Sequence, residues 1–316
     1  MLSVFNKETQ RSFDIGGVVF GGVPGSRATV MVGSLFYLGD NRVLDYKLGE
    51  FDKSKVKKDL ENASLVSIKN GIPLALELIA MSPKAMSNYL AYAVEHFDGP
   101  ILIGGVDESS RIAGYELALK LGVQKRVLAN AIYVNTGAEE LNVLRECRIE
   151  AGVLMAFDFG KSGSTLKPEG KIEVIKNNLL PKAEKAGITK PLVDVAVLDI
   201  PSISLSGESV WAIKSLLGIP AGCAPVNAIS QLGGGIKRVE RLLLKTASMV
   251  FLQMMGADFL FYGALQRIEE ISSAISLADS YTAYLYKIKG GKVPESHPLN
   301  LFLPELLKRA SSNFQR

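Results

Sequence analysis

Residues 191–224 read PLVDVAVLDIPSISLSGESVWAIKSLLGIPAGCA, and this stretch decides the fold. An apolar run over 192–198 leads into a helix-period segment that stops at Leu217-Gly218, and a second apolar run, 220–224, starts at once. Glycine just past the last periodic residue is a helix-end signal, because without a Cβ it enters the left-handed region at no steric cost. A short, unbroken apolar run is the pattern of a strand buried on both faces. Strand, helix and strand in so few residues imply parallel pairing through a right-handed crossover.

The same unit recurs on both sides. Apolar runs at 29–37, 73–80, 101–105, 127–131 and 152–157 precede it and one at 259–263 follows, eight in all. Asp52 is placed to cap a helix over 53–70 that has Val56, Leu60 and Ala63 on one face. Ser82-Pro83 is an N-cap with proline at the first helical position, and Thr136 with Glu139 has capping-box spacing before 140–147. Gly71, Gly122 and Gly187 are further helix ends, and Pro181 is expected to kink or break the fifth helix. Eight such units without a central change in composition favour a closed (β/α)8 TIM barrel. An open doubly wound sheet is the alternative, since periodicity alone does not prove closure.

The whole chain, 1–316, is expected to form one barrel domain. Its N-terminal extension, 1–27, contains a short strand or hairpin near 15–20 that should lie across the barrel's base. The C-terminal tail, 290–316, should form a short helix around SHPLNLFLPELLKR. Residues 161–170 read as a loop over the site and Gly233–Gly235 as a mobile loop.

Composition excludes several classes. Hydrophobic residues make up 47% and charged residues 22%, so a large core is available. A net charge of +4 is too mild to signal nucleic acid or anionic lipid. Two cysteines and two histidines occur without CxxC, HxxxH or HExxH spacing, so no protein metal site is expected and the thiols read as reduced. The longest apolar stretch, near 249–255, is well short of the roughly 20 residues a membrane span needs, and MLSVFNKETQRSF lacks a secretory layout. The expectation is a soluble, cytoplasmic protein.

In such barrels the carboxyl ends of the strands face the active site. Those positions carry Glu77, Asn130, Asp158, Asp194 and Asn227, with Asp107 just past the third run. A turn or N-cap also ends an apolar run on Asn or Asp, so each could be structural. Glu77 and Asp194 resist that explanation, because each is embedded in an apolar run, LALELIA and PLVDVAVL, where an ionised carboxylate needs a partner. No nucleophile–base pair is evident. Cys223 reads as a small buried thiol, His96 as a helix end and His297 as a surface residue of the tail, and Gly233–Gly235 lacks the lysine of a phosphate loop.

GCAPVNAIS, at 222–230, is similar to the G-x-S-N-x-S type motif of corrinoid-dependent pterin methyltransferases. With DIGGVVFGGVPG, FDKSKV, SPKAM, ESSRIAG, PLVDVAVLDIPS, GADFLFYG and ESHPLNLF, the chain resembles the H-subunit family of tetrahydromethanopterin S-methyltransferase from end to end. The resemblance implies a pterin-binding barrel of one-carbon metabolism. It would move a methyl group between N5 of a reduced pterin, tetrahydromethanopterin or tetrahydrofolate, and the cobalt of a cobamide carried by a partner corrinoid protein. Other subunits of a methyltransferase complex, which could hold the chain beside a membrane, and a homodimer are implied as well.

It also implies roles. Asp194 would accept N–H bonds from the pterin's pyrimidine edge, Asn130 would meet the ring's mixed donor–acceptor edge, and Asn227 would lie near N5. Glu77 stands where relatives often have Asp, and Asp158 where they often have Asn. Gly104 stands where relatives commonly have Asp, so Glu77 or Asp107 would have to supply that acceptor. Three alternatives remain: a non-catalytic docking barrel, a sugar-phosphate barrel, and a dihydropteroate synthase-like transferase. The last would need a lysine/arginine set for a pyrophosphate leaving group, and no strand end supplies one.

Overall fold

The computed structural model describes residues 9–312. Eight parallel strands close a barrel: β1 (Val30–Leu35), β2 (Leu74–Ala80), β3 (Ile101–Gly105), β4 (Val127–Ile132), β5 (Ala151–Met155), β6 (Lys190–Asp194), β7 (Ala221–Cys223) and β8 (Phe259–Ala264). The open-sheet alternative is therefore excluded: β8 pairs with β1, Val30 opposite Phe259. Strand alternation divides the apolar residues into two cores. Val30, Val32, Ala75, Leu102, Val153 and Phe259 fill the barrel interior, while Met31, Leu76, Leu78, Ile101 and Ile103 pack outward against the helices.

The helix signals act as their chemistry requires. Asp52 accepts a bond from Lys55 N at 3.0 Å and Ser82 one from Ala85 N at 3.0 Å, and Gly71 and Gly218 close their helices with φ of 71° and 65°. Thr136 is different. The helix starts earlier, at Ala138 after Gly137, and the Thr136 hydroxyl instead accepts from Tyr133 N at 2.7 Å. Its place is taken from a distance by Glu108, whose carboxylate accepts from Glu140 N at 3.1 Å. Around Pro181 the helix continues over 168–185, but Ile175–Leu179 widens into a π turn. The wider turn accommodates a residue that has no N–H and would press on the carbonyl four residues back.

The short N-terminal strand is a hairpin, Ser12–Ile15 against Val18–Gly21, whose Ile15 and Phe20 are fully buried on the interior core. It plugs the base of the barrel as expected. A second hairpin, Val43–Asp45 with Glu50–Phe51, follows β1 and was not foreseen. Residues 161–170, read as a loop, contain a short helix, Ser162–Thr165, and the start of the next, Pro168–Val174. The tail forms a helix, Pro298–Ser312, that packs on helices Ile268–Ile288 and Lys53–Asn70. His297, expected at the surface, is 2% exposed. It lies under that terminal helix and accepts a bond from Leu299 N. No described helix is long and apolar enough to cross a membrane.

Candidate functional site

Two cavities of similar size lie at opposite ends of the barrel. The one at the base, about 480 Å³, is lined by the first hairpin's turn, Arg27, Ser67 and His297. The one at the carboxyl ends of the strands, about 490 Å³, collects groups from seven of the eight βα units, including Ser34, Glu77, Asn130, Met155, Asp194, Asn227 and Arg267. Functional groups in this fold gather at the second end, because there the βα loops are free to vary without disturbing the core.

Its floor is built by register. Ser34 of β1 pairs with Glu77 of β2, and the Ser34 hydroxyl donates to Glu77 Oε2 at 2.5 Å. From across two strands Asn130 donates its amide N–H to Glu77 Oε1 at 2.8 Å. Each carboxylate oxygen therefore has a protein donor, and Asn130 lines the cavity beside the pair it forms with Glu77. Burial pushes the Glu77 pKa up, opposed by these two bonds and supported by the nearby Asp194 charge. Gly104 gives Glu77 its room: a Cβ there would stand 3.3 Å from Glu77 Oε1 and 3.1 Å from Leu78 O.

Asp194 ends β6 and is 4% exposed. The apolar run does not continue as a strand past it. Ala196 takes a left-handed φ of 55°, and its N–H donates to Asp194 Oδ1 at 2.7 Å. That is the partner a carboxylate in PLVDVAVL requires. Burial pushes the Asp194 pKa up to about 6, against the Ala196 bond and the Lys171 charge. Lys171 itself is 2% exposed, donates to Ala156 O at 3.3 Å and lies 5.4 Å from the Phe157 ring centre. Burial lowers its pKa to about 8, with Asp194 opposing. Sequence reasoning missed it, yet Pro168, Lys171, Ile175 and Leu179 are all buried at helical spacing, so a lysine on an apolar stripe was the available signal.

Asn227 lies on the short helix Pro225–Ser230 that follows β7 and lines the cavity. Its exposed side chain makes no hydrogen bond among the described residues, so it does not serve as the turn's cap. The remaining two candidates do not line this cavity. Asp107 caps helix Glu108–Lys120, accepting from Ser110 N at 2.7 Å and Ser109 Oγ at 2.8 Å. Asp158 accepts from Gly160 N at 2.8 Å in the turn after β5. Cys223 is buried, its thiol pushed well up by burial and by Asp194.

No strand end supplies a cation, yet two cations reach the site from other elements. Lys245, from helix Arg238–Met254, and Arg267, from the turn Leu265–Arg267 after β8, both line the cavity. Neither occupies a strand end, which is why reading strand ends alone overlooked them. Tyr37 and Tyr133 add aromatic walls. The cavity thus has an acidic, amide-bearing floor and a basic rim.

The model of the family described as tetrahydromethanopterin S-methyltransferase MtrH subunit matches residues 8–292. Relatives named as the H subunit of tetrahydromethanopterin S-methyltransferase include one from Methanococcus aeolicus, 30% identical over 325 residues, covering 95% of this chain and 99% of that protein. Another, from Methanothermobacter marburgensis, is 28% identical over 310 residues, covering 93% of this chain and 97% of its own length. Among solved structures, the dihydropteroate synthase of Yersinia pestis with a pterine-sulfa conjugate superposes with a TM-score of 0.61 at 11% identity, covering 87% of this chain and 100% of that one. The dihydropteroate synthase of Thermus thermophilus does so with 0.56 at 14% identity, covering 87% and 99%. At such identities the likeness concerns the fold.

Proposed function

This chain belongs to the MtrH family of tetrahydromethanopterin S-methyltransferase subunits, and from that premise we propose that it is a methyltransferase acting on a reduced pterin held in the upper cavity. The observation that carries this reading is the floor: one buried carboxylate, Asp194, and a carboxylate–amide pair, Glu77 with Asn130, converge from β6, β2 and β4. A pterin's pyrimidine edge offers N–H donors and one carbonyl, which such acceptors and an amide can satisfy together.

In this reading Asp194 accepts a charge-assisted pair from the pterin, Asn130 and Glu77 meet the rest of the edge, and the tyrosines cover the ring faces. Asn227 stands near N5, the atom that carries the methyl group. A tertiary amine is a poor leaving group unless N5 is protonated or hydrogen-bonded. A neutral amide can accept from protonated N5 or donate to bare N5 by rotating, whereas a carboxylate there would overstabilise the cation.

The second substrate is the cobamide of a partner corrinoid protein, whose cobalt supplies the nucleophile or acceptor for the methyl group. The lining residues fit that division of labour: they include no histidine or cysteine, and the nearby Cys223 is buried with a raised pKa. The chain's own task is to hold N5 in line and keep water from it. Other subunits of a methyltransferase complex and a second copy of the chain are the further partners proposed.

The test is stopped-flow loss of the Co(I) band on mixing a reduced cobamide with the protein and methyl-tetrahydromethanopterin or methyltetrahydrofolate. Transfer from at least one pterin is expected, and saturable pterin binding without any transfer would leave a docking role instead. One second reading has an observation of its own. Lys245 and Arg267 would suit a pterin transferase that releases an anion, and condensation of a pterin pyrophosphate with 4-aminobenzoate would favour it over methyl transfer.

A further inference from the structure

We propose that Lys245 and Arg267 form an anion subsite at the cavity mouth that binds a carboxylate or phosphate on the pterin's side chain. The inference rests on the pterin reading above and adds which part of the ligand the rim recognises. Four cations, Arg238, Arg241, Lys245 and Arg267, gather at this end of the barrel around one carboxylate, Glu270. Glu270 is already shared: Arg267 reaches its two oxygens at 3.1 and 2.8 Å, and Arg238 donates to Oε1 at 2.7 Å.

Arg241 directs its guanidinium at backbone carbonyls, Ile229 O at 3.0 Å and Gly233 O at 2.9 Å, so its charge is not neutralised. Lys245 is half-buried in the cavity wall and has no hydrogen-bond or ion-pair partner among the described residues. Lys245 therefore stands among two further cations, Arg267 and Arg241, with Glu270 the carboxylate that acts on it. Burial, then the Arg267 and Arg241 charges, lower the Lys245 pKa. A half-buried ammonium crowded by like charge is unfavourable in the empty protein and becomes favourable when an anion enters.

The anion's origin follows from the geometry. The same cavity presents acceptors at its floor and cations at its rim, so its complement is a molecule with N–H donors at one end and negative charge at the other. A reduced pterin with an acidic side chain has that polarity, the carboxylates of a folate and the phosphate of a methanopterin being two sources of one chemistry. A free metabolite anion would need the rim alone and would leave the acidic floor unmatched.

Calorimetry separates the cases. The ligands are 5-methyltetrahydrofolate, methyl-tetrahydromethanopterin and 5,6-dimethyltetrahydropterin, which has the ring system but no acidic side chain. Wild-type protein is expected to bind at least one acidic pterin about tenfold or more tightly than the bare one, the order one charge-assisted hydrogen bond contributes. Inorganic phosphate should compete with the acidic pterin only. Lys245→Met and Arg267→Gln should each remove most of the preference and Lys245→Arg should retain it, with dimethyltetrahydropterin binding unchanged throughout as proof of an intact floor. A preference for the folate alone or the methanopterin alone identifies the anion. Equal binding of bare and acidic pterins, or a preference that survives both variants, overturns the subsite while leaving the pterin reading standing. Failure of all three ligands to bind wild-type protein overturns both.

Discussion

Replacing Asp194 with asparagine is expected to stabilise the protein while weakening pterin binding, and the two effects share one cause. The carboxylate is 4% exposed, and burial carries its pKa from 3.8 to about 6 despite the Ala196 N–H and the Lys171 charge. A displacement of about two units corresponds to ~3 kcal/mol set against folding when the group is ionised. The sign follows from the direction of the shift. Folding favours the protonated form, so the penalty is absent below the unfolded value near 3.8, develops as pH rises, and is complete above about 6.

Asparagine keeps the shape, and its Oδ1 can still accept from Ala196 N, a 2.7 Å bond in the native chain. Its amide N–H2 gives up water on burial, which returns about 1–2 kcal/mol of the gain. The net stabilisation is then ~1–2 kcal/mol at pH 8, and roughly half the pH-dependent part remains at pH 5. Urea melts of both proteins at these two pH values measure it, and calorimetry measures the pterin, whose binding should weaken by about 2 kcal/mol, some thirtyfold. A stability gap that does not change with pH refutes the desolvation reasoning. Pterin affinity equal to wild type in the variant refutes the anchor assignment.

Three other outcomes are expected. Asn227→Ala should lower kcat and kcat/KM together by roughly 100-fold, with little change in pterin Kd; because the side chain makes no bond among the described residues, the melt should be unaffected, and a lowered melt with normal single-turnover rates would mean that Asn227 is scaffolding. Gly104→Asp should weaken pterin binding, since the new Cβ would stand 3.3 Å from Glu77 Oε1 and bring a second carboxylate against it; a gain in affinity would show that Glu77 does not supply the missing acceptor. Lys171→Met removes the cation that holds the Asp194 pKa down, so the acid limb of pterin binding should move to higher pH; a pH profile of Kd that superposes on wild type would show that Lys171 acts only through packing.

Much of the fold was determined by sequence alone, because its signals are local. Alternation of apolar runs with helical periods specifies βα units, and Asp52, Ser82, Gly71 and Gly218 end helices through bonds to residues at most a few positions away. The buried carboxylates were legible for the same reason, since Glu77 and Asp194 stand among apolar neighbours in their own strands. Which groups would meet was not local. Ser34 and Asn130 reach Glu77 across 43 and 53 residues, and only barrel closure and strand register bring them together. Asp107 and Asp158 matched the pattern of strand-end ligands equally well, but the tertiary structure turns their carboxylates to a helix cap and a turn. His297 reads as a polar residue in a tail, and its burial depends on where the last helix packs. Lys245 and Arg267 lie on a helix and a turn beside β8, and become part of the cavity because closure sets β8 against β1, around the ring from Asp194. Period and capping are set by interactions within a turn or two of chain, whereas convergence is a property of the closed ring, and no stretch of sequence contains it.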